Sequence, residues 1–342
     1  MRVFVTGGNG FVGSHIVREL LSQNHEVTCL VRRTSSLKNL ESLPVIFVYG
    51  DITSGKGLNM HMKGHDAVVH TAGRVDDWSR WSDCYITNVQ GTMNVVNSCH
   101  KNGIERVVIT GSTSSYGEEN SVIIKDETSP DNSHHIYFLD TIFPSRMNNY
   151  HDSKAIATRK AVAFAKQHTM NMIVLEPGFV YGEREFSSGF YEYVKSARSG
   201  FPVAPGSKRN CFPIVYAGDL AKAYAAAVTS DVPGVHRIII TNSPADNMNE
   251  IYSLFCRFAG CRQPLLFPKV LLYIPAFLME IAATFLKSEE PPLLTRARCN
   301  MFYDNVIFSA QKAYDLLGFR AETSLAAGIE KTVRWYRENG YL

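Results

Sequence analysis

Three glycines spaced three residues apart, Gly7, Gly10 and Gly13, follow directly on the β-branched run Val3 to Thr6 and open directly into a helical pattern, Phe11 to Ser22. In that pattern Val12, Ile16, Val17, Leu20 and Leu21 fall on one side and Arg18, Glu19 and Gln23 elsewhere, the spacing of a helix that packs on a sheet. A strand, a tight turn and a helix N-terminus in succession make a cradle for an anion, because the first helical N–H groups have no partner within the helix. Gly7 permits the turn, Gly10 lets backbone approach a pyrophosphate, and Gly13 allows close packing of helix on sheet. Phe11 and Val12, at the head of the helix, stand beside the same ligand. No Lys-Ser/Thr pair trails the glycines, so a nucleotide-hydrolysing P-loop is disfavoured. The bland alternative is a glycine-rich turn that binds nothing.

Further β-branched runs occur at Val27 to Val31, Val45 to Tyr49, Ala67 to His70, Val107 to Thr110, Ile173 to Leu175 and Arg237 to Thr241, with helical patterns between them. Strand and helix in strict turn imply right-handed βαβ units. The expected fold class is therefore α/β, a Rossmann-type doubly wound parallel sheet covered on both faces. Beyond Pro177 the sequence turns to Gly, Pro and aromatic residues, and beyond Ser243 to apolar helical segments. Two domains are expected: a dinucleotide-binding domain of residues 1–176 and 212–242, and a smaller, discontinuous substrate domain of residues 177–211 and 243–342.

Composition narrows the partners. A net charge of +3 with scattered Lys and Arg offers no basic stripe for a phosphate backbone, so nucleic acid is not expected. Seven cysteines without a CxxC pair read as reduced thiols, and a strand beginning at Arg2 leaves no room for an export leader; both point to the cytoplasm. The apolar stretch Val270 to Leu286 is broken by Pro275 and Glu280 and falls short of the roughly 20 residues a spanning helix needs. Two readings stay open for it: a buried helix or substrate lid, and a peripheral membrane contact. His134, His135 and His151 lack metal-ligand spacing with Cys, Asp or Glu, so no metal is expected and they read as loop residues.

Where the second strand ends, a carboxylate would hydrogen-bond the ribose of NAD, but this chain has Val31, Arg32 and Arg33. A guanidinium at Arg32 suits the 2′-phosphate of NADP through forked, charge-assisted hydrogen bonds. NADP is the expected cofactor, with NAD as the alternative; the competing reading makes both arginines solvated surface charges.

Tyr150-His-Asp-Ser-Lys154 stands at the head of the helical run Ala155 to Gln167, so Tyr150 and Lys154 share one face. The ammonium favours phenolate and brings the tyrosine toward a useful acid or base. Upstream, Val107-Val-Ile-Thr-Gly-Ser112-Thr-Ser-Ser-Tyr-Gly117 places a hydroxyl-rich loop after a buried strand.

With Gly50-Asp51-Ile52, Val69-His-Thr-Ala-Gly73, Asn88-Val-Gln-Gly-Thr92, Pro177-Gly-Phe-Val-Tyr-Gly182 and Asp219-Leu-Ala-Lys-Ala, these motifs make the whole chain resemble the extended short-chain dehydrogenase/reductase family, the epimerase/dehydratase superfamily. The resemblance implies that Tyr150 is the general acid/base, that Lys154 binds the nicotinamide ribose and tunes Tyr150, and that Ser112 orients the substrate oxygen, with Thr113 and Ser114 as fallbacks. It places Asp51 and Ile52 at the adenine, Ala72 and Gly73 along the cofactor, and Pro177 and Val180 near the nicotinamide. Asn88 either holds active-site backbone or caps the helix through Met93 to Cys99. A homodimer is implied by the family analogy alone.

The stretch Glu183 to Gly189 lacks the Asn-containing polar segment expected where a sugar nucleotide is held. The loop Arg74 to Trp81 and the aromatics Tyr137, Phe138 and Phe143 read either as apolar walls above Ser112 and Tyr150 or as packing between lobes. The pattern is most similar to the hydroxysteroid dehydrogenase and dihydroflavonol reductase-like branch. It implies an NAD(P)(H)-dependent oxidoreductase that interconverts a secondary alcohol and a ketone on an apolar small molecule. A nucleotide-sugar epimerase or dehydratase and a non-catalytic redox sensor are the alternatives.

Overall fold

All seven β-branched runs become strands: β1 (Arg2–Thr6), β2 (Glu26–Val31), β3 (Val45–Tyr49), β4 (Ala67–His70), β5 (Arg106–Thr110), β6 (Met172–Pro177) and β7 (Val235–Ile240). They form one sheet in the order β7-β6-β5-β4-β1-β2-β3, and every neighbouring pair is parallel. The computed structural model describes residues 1–117, 120–186, 189–200 and 203–342. Ser187 and Ser188 of the Glu183 to Gly189 stretch lie outside the described residues.

The order reverses between β1 and β4. At such a switch point the loops leaving the two strands diverge and open a crevice at their C-terminal ends, the usual ligand position in an open α/β sheet. Both strands are apolar and almost wholly buried, as a sheet covered on two faces requires. The principal helices are α1 (Phe11–Ser22), α2 (Gly91–Lys101), α3 (Met147–Gln167), α4 (Phe190–Arg198), α5 (Ala217–Thr229), α6 (Met248–Ala259), α7 (Lys269–Phe285), α8 (Arg296–Tyr303) and α9 (Leu325–Glu338). Ile16, Val17 and Leu20 of α1 with Leu220 and Tyr224 of α5 cover one face of the sheet. Val95, Val96 and Cys99 of α2 with Ala161 and Ala165 of α3 cover the other. A separate core, with Phe190 of α4, Phe255 of α6 and Ile329 of α9, holds a second lobe. Residues 217–240 leave that lobe and return to the sheet as α5 and β7.

One expectation changes and two open readings narrow. His151 is not a loop residue; it is buried on α3, which begins at Met147 and so holds Tyr150 and Lys154 within one helix. The Val270 to Leu286 segment is not a buried helix: α7 runs through Pro275, and only Ala276, Glu280 and Ala283 are buried. Tyr137, Phe138 and Phe143 take the packing role: Phe138 and Phe143 set their rings against Phe277 of α7 at 5.4 and 6.1 Å between centroids, and the Tyr137 ring lies 4.4 Å from that of His135.

Candidate active site

Gly7 has φ +77°, and a Cβ there would meet Ala72 N at 2.5 Å; a Cβ on Gly13 would meet Gly7 O at 2.1 Å. Both positions therefore demand glycine for the turn and the helix to fit together. Gly10 is different. A Cβ on it would meet Gly7 O at 3.3 Å and no other atom within 4 Å, because it faces an open cleft. Gly10 precedes α1, whose N-terminus has no side-chain cap and no acid in its first turn. Its N–H groups and partial positive charge are left for an anion. A dinucleotide pyrophosphate fits this cradle.

The cleft has a volume of about 1240 Å³. Gly7, Gly10, Phe11, Val12 and Gly13 line it from the turn, and Arg32 lines it from the end of β2. The two arginines part company: Arg33 stacks on the Tyr49 ring with its guanidinium carbon 4.9 Å from the centroid. Asp51 and Ile52 enter the cleft after β3, and Ala72 and Gly73 after β4. Asp51 Oδ1 accepts hydrogen bonds from Thr53 N and Thr53 Oγ1, both at 2.8 Å, which fixes its loop.

Ser112, Tyr150, Lys154, Pro177 and Val180 line the same cleft. Ser112 stands in extended backbone before the short turn Thr113–Tyr116. Its Oγ shares a 2.8 Å hydrogen bond with Ser114 Oγ and accepts one from Ser114 N at 3.2 Å. Of the two fallback hydroxyls, Thr113 lines the cleft and Ser114 is buried behind it. Lys154 is buried and donates to Thr110 O at 2.6 Å. Burial pushes its pKa down to about 8, while the charge of Glu176 opposes the fall.

Asn88 resolves in favour of holding backbone. Its Oδ1 accepts from Arg74 N at 2.7 Å, and its Nδ2 donates to Arg74 O at 3.1 Å and Ser153 Oγ at 2.9 Å. Ser153 Oγ in turn donates to Tyr150 O at 2.8 Å. Asn88 sits in a π-helical segment, Tyr85–Gln90, running straight into α2, so it caps nothing. The wider turn is a feature that recurs at functional sites.

A family model for the NAD dependent epimerase/dehydratase family matches residues 3–240. This chain belongs to that family. It is 27% identical to the decarboxylating sterol-4-alpha-carboxylate 3-dehydrogenase of Schizosaccharomyces pombe, over 96% of this chain and 95% of that protein. A dihydroflavonol 4-reductase-like protein of Synechocystis sp. is 33% identical over 52% of this chain and 49%, about half, of its own length. The fold is shared with the UDP-glucose 4-epimerase of Thermus thermophilus in complex with NAD, with a TM-score of 0.74, 24% identity and coverage of 98% and 99% of the two chains. The family and its dehydrogenase members make this chain an NAD(P)-dependent enzyme acting on CH–OH groups.

Two features of this epimerase/dehydratase family member went unread in the sequence. The first is Glu176, fully buried on β6, which accepts from Tyr116 OH at 2.5 Å and from Arg237 Nε at 3.0 Å. Burial raises its pKa and Arg237 opposes this. A carboxylate in a strand buried on both faces, and an arginine within the neighbouring strand, are the signal that would have found the pair. The second is the apolar wall of the cleft, which includes Phe179, Tyr193, Phe267, Met301 and Phe302, joined by Leu272 from the segment read as a possible lid. These residues come from four separate parts of the second lobe, and no local spacing announces them. Among the described residues no group of three or more His, Cys, Asp or Glu is placed to hold a metal.

Proposed function

We propose that the enzyme reversibly interconverts a secondary alcohol and a ketone on an apolar substrate, steroid-, flavonoid- or acyl-like, with NADP(H) preferred over NAD(H). The observation that carries this reading is the shared cleft, lined at once by the glycine turn, by Ser112, Tyr150 and Lys154, and by an apolar wall. Such a wall suits a substrate whose bulk is hydrocarbon. End-to-end similarity to a sterol-4-carboxylate 3-dehydrogenase supports the same class.

A bound nicotinamide would supply or accept the hydride. Ser112 Oγ holds the substrate oxygen in place, with Ser114 Oγ fixing the direction of its lone pairs. Tyr150 Oη takes the alcohol proton in oxidation and returns it in reduction. Lys154, protonated below about pH 8, stabilises the phenolate and holds the nicotinamide ribose. Asn88 and Ser153 fix the backbone from which Tyr150 projects. Arg32, which lines the cleft at the end of β2, would hold the 2′-phosphate of NADP.

A panel of steroid, flavonoid, acyl and sugar-nucleotide substrates, followed at the nicotinamide absorbance, tests the reading. Stoichiometric cofactor turnover on an apolar alcohol or ketone is expected. Conversion of a sugar nucleotide with no net cofactor change would assign an epimerase instead.

A further inference from the structure

An amphipathic surface helix of a globular protein turns its charges outward, and α7 does the reverse. Its two charged residues turn away from solvent: half-buried Lys269 pairs with Asp304 at 2.5 Å, and the carboxylate of Glu280, 3% exposed, pairs with Arg296 at 2.8 Å. Outward it shows Val270, Leu271, Ile274, Leu278 and Phe285, each between 57% and 74% exposed. Val270 and Leu271 are adjacent, and from Leu271 the spacing is three, four and seven residues, which places all five on one stripe opposite Ala276, Glu280 and Ala283.

The stripe continues onto the segment at 136–143. Ile136, Phe138, Leu139 and Ile142 are exposed, whereas Asp140 is buried and accepts from Ser145 N at 2.9 Å. Arg296 joins the two segments from beneath. While held by Glu280, it donates to Phe138 O at 2.5 Å and Phe143 O at 2.6 Å. Two stretches more than 100 residues apart in sequence thus share one surface, with hydrocarbon outside and charge, together with these backbone carbonyls, satisfied inside.

We propose that this surface lies on a lipid bilayer, with α7 in the plane of the interface. Charge decides the occupant. The outward stripe has no ionisable group for a partner to pair with, and its inward polar groups are already neutralised, as contact with hydrocarbon requires. No helix among the described residues is long and apolar enough to cross a membrane, so the contact is peripheral. The inward side of α7 also contributes Leu272 to the cleft wall, making one helix both wall to the cleft and face to the lipid.

Flotation of the full chain with vesicles of pure phosphatidylcholine, and of phosphatidylcholine mixed with phosphatidylserine, tests this without any assay of turnover. The chain should float with both. The triple variant Ile142→Glu, Leu278→Glu, Phe285→Glu changes only solvent-exposed side chains; it should keep its circular dichroism and cofactor binding while its vesicle partition falls about tenfold or more. Equal flotation of the variant, or no flotation of the parent chain, overturns the proposal. So does a vesicle-free dimer that the variant dissociates, which would show that a second copy covers the face.

Discussion

Lys154 Nζ donates to the carbonyl oxygen of Thr110 across 2.6 Å. This bond ties α3, which presents Tyr150, to the end of β5, two residues before Ser112. The helix and the loop proposed to carry the chemistry are therefore registered to each other through the ammonium group.

The charge on that ammonium should set the alkaline limit of activity. Burial lowers the Lys154 pKa to about 8, and the Glu176 carboxylate favours the charged form. In kcat/KM profiles, activity should decline as pH rises through about 8, because the ammonium is lost there. Glu176→Gln keeps hydrogen bonds for Tyr116 and Arg237 but removes the negative charge, so the decline should begin at lower pH. An alkaline limb that stays in place would disconnect Glu176 from Lys154.

Cofactor choice should follow Arg32 and not Arg33. Arg32→Asp is expected to move the NADP-over-NAD preference by tenfold or more, about 1.4 kcal/mol per factor of ten. Arg33→Asp should leave the preference unchanged, since Arg33 stacks on Tyr49 outside the cleft. Kinetic constants for both cofactors on the two variants decide the matter.

Asn88→Ala should act on chemistry as well as stability. The change leaves the Arg74 backbone and Ser153 without their partner, at a cost of about 1–3 kcal/mol for each buried group left unsatisfied. A lower Tm is expected together with a fall in kcat that exceeds any change in cofactor affinity. Asn88→Asp, which keeps the acceptor for Arg74 N, should recover part of the Tm. Unaltered kcat in the alanine variant would limit Asn88 to a structural role.

Much of this arrangement was legible in the chain because local rules and global fold agree. Gly7 and Gly13 are required by contacts that only a missing Cβ permits, and the strand runs are apolar because the sheet is covered on both faces. The YxxxK pair was readable because a separation of four residues fixes a shared helix face. What escaped depended on distant partners. Glu176 becomes intelligible only beside Arg237 on the next strand, and the apolar wall is assembled from segments that meet only in three dimensions. The α7 segment misled in a specific way: its apolar content suggested burial, whereas five of its large apolar side chains are exposed and its one carboxylate, Glu280, is buried. Phe138 and Phe143 likewise found their partners on α7 and not over the site.

Acid should destabilise the fold through two histidines. Burial depresses both His15 and His70 to about 3 from the ordinary 6.5, and His70 bridges Thr6 Oγ1 at 2.6 Å and Thr92 Oγ1 at 2.9 Å. Each is neutral when folded and protonates in the unfolded chain below about pH 6.5, so their contribution is present above that pH and is lost as pH falls toward 3. The slope is about 1.4 kcal/mol per pH unit for each histidine. Thermal unfolding of His70→Gln should show a shallower decline in Tm between pH 6.5 and 4 than the parent chain. Parallel declines would contradict this assignment.

The decisive measurement is the turnover of Tyr150→Phe on whichever alcohol or ketone the parent enzyme accepts, taken alongside its affinity for the cofactor. Loss of the phenol proton should cut kcat by about 10²–10⁴ and leave cofactor binding within a few-fold of the parent. A variant that turns over at the parent rate would remove Tyr150 from the chemistry and with it the reading of this cleft as a dehydrogenase site.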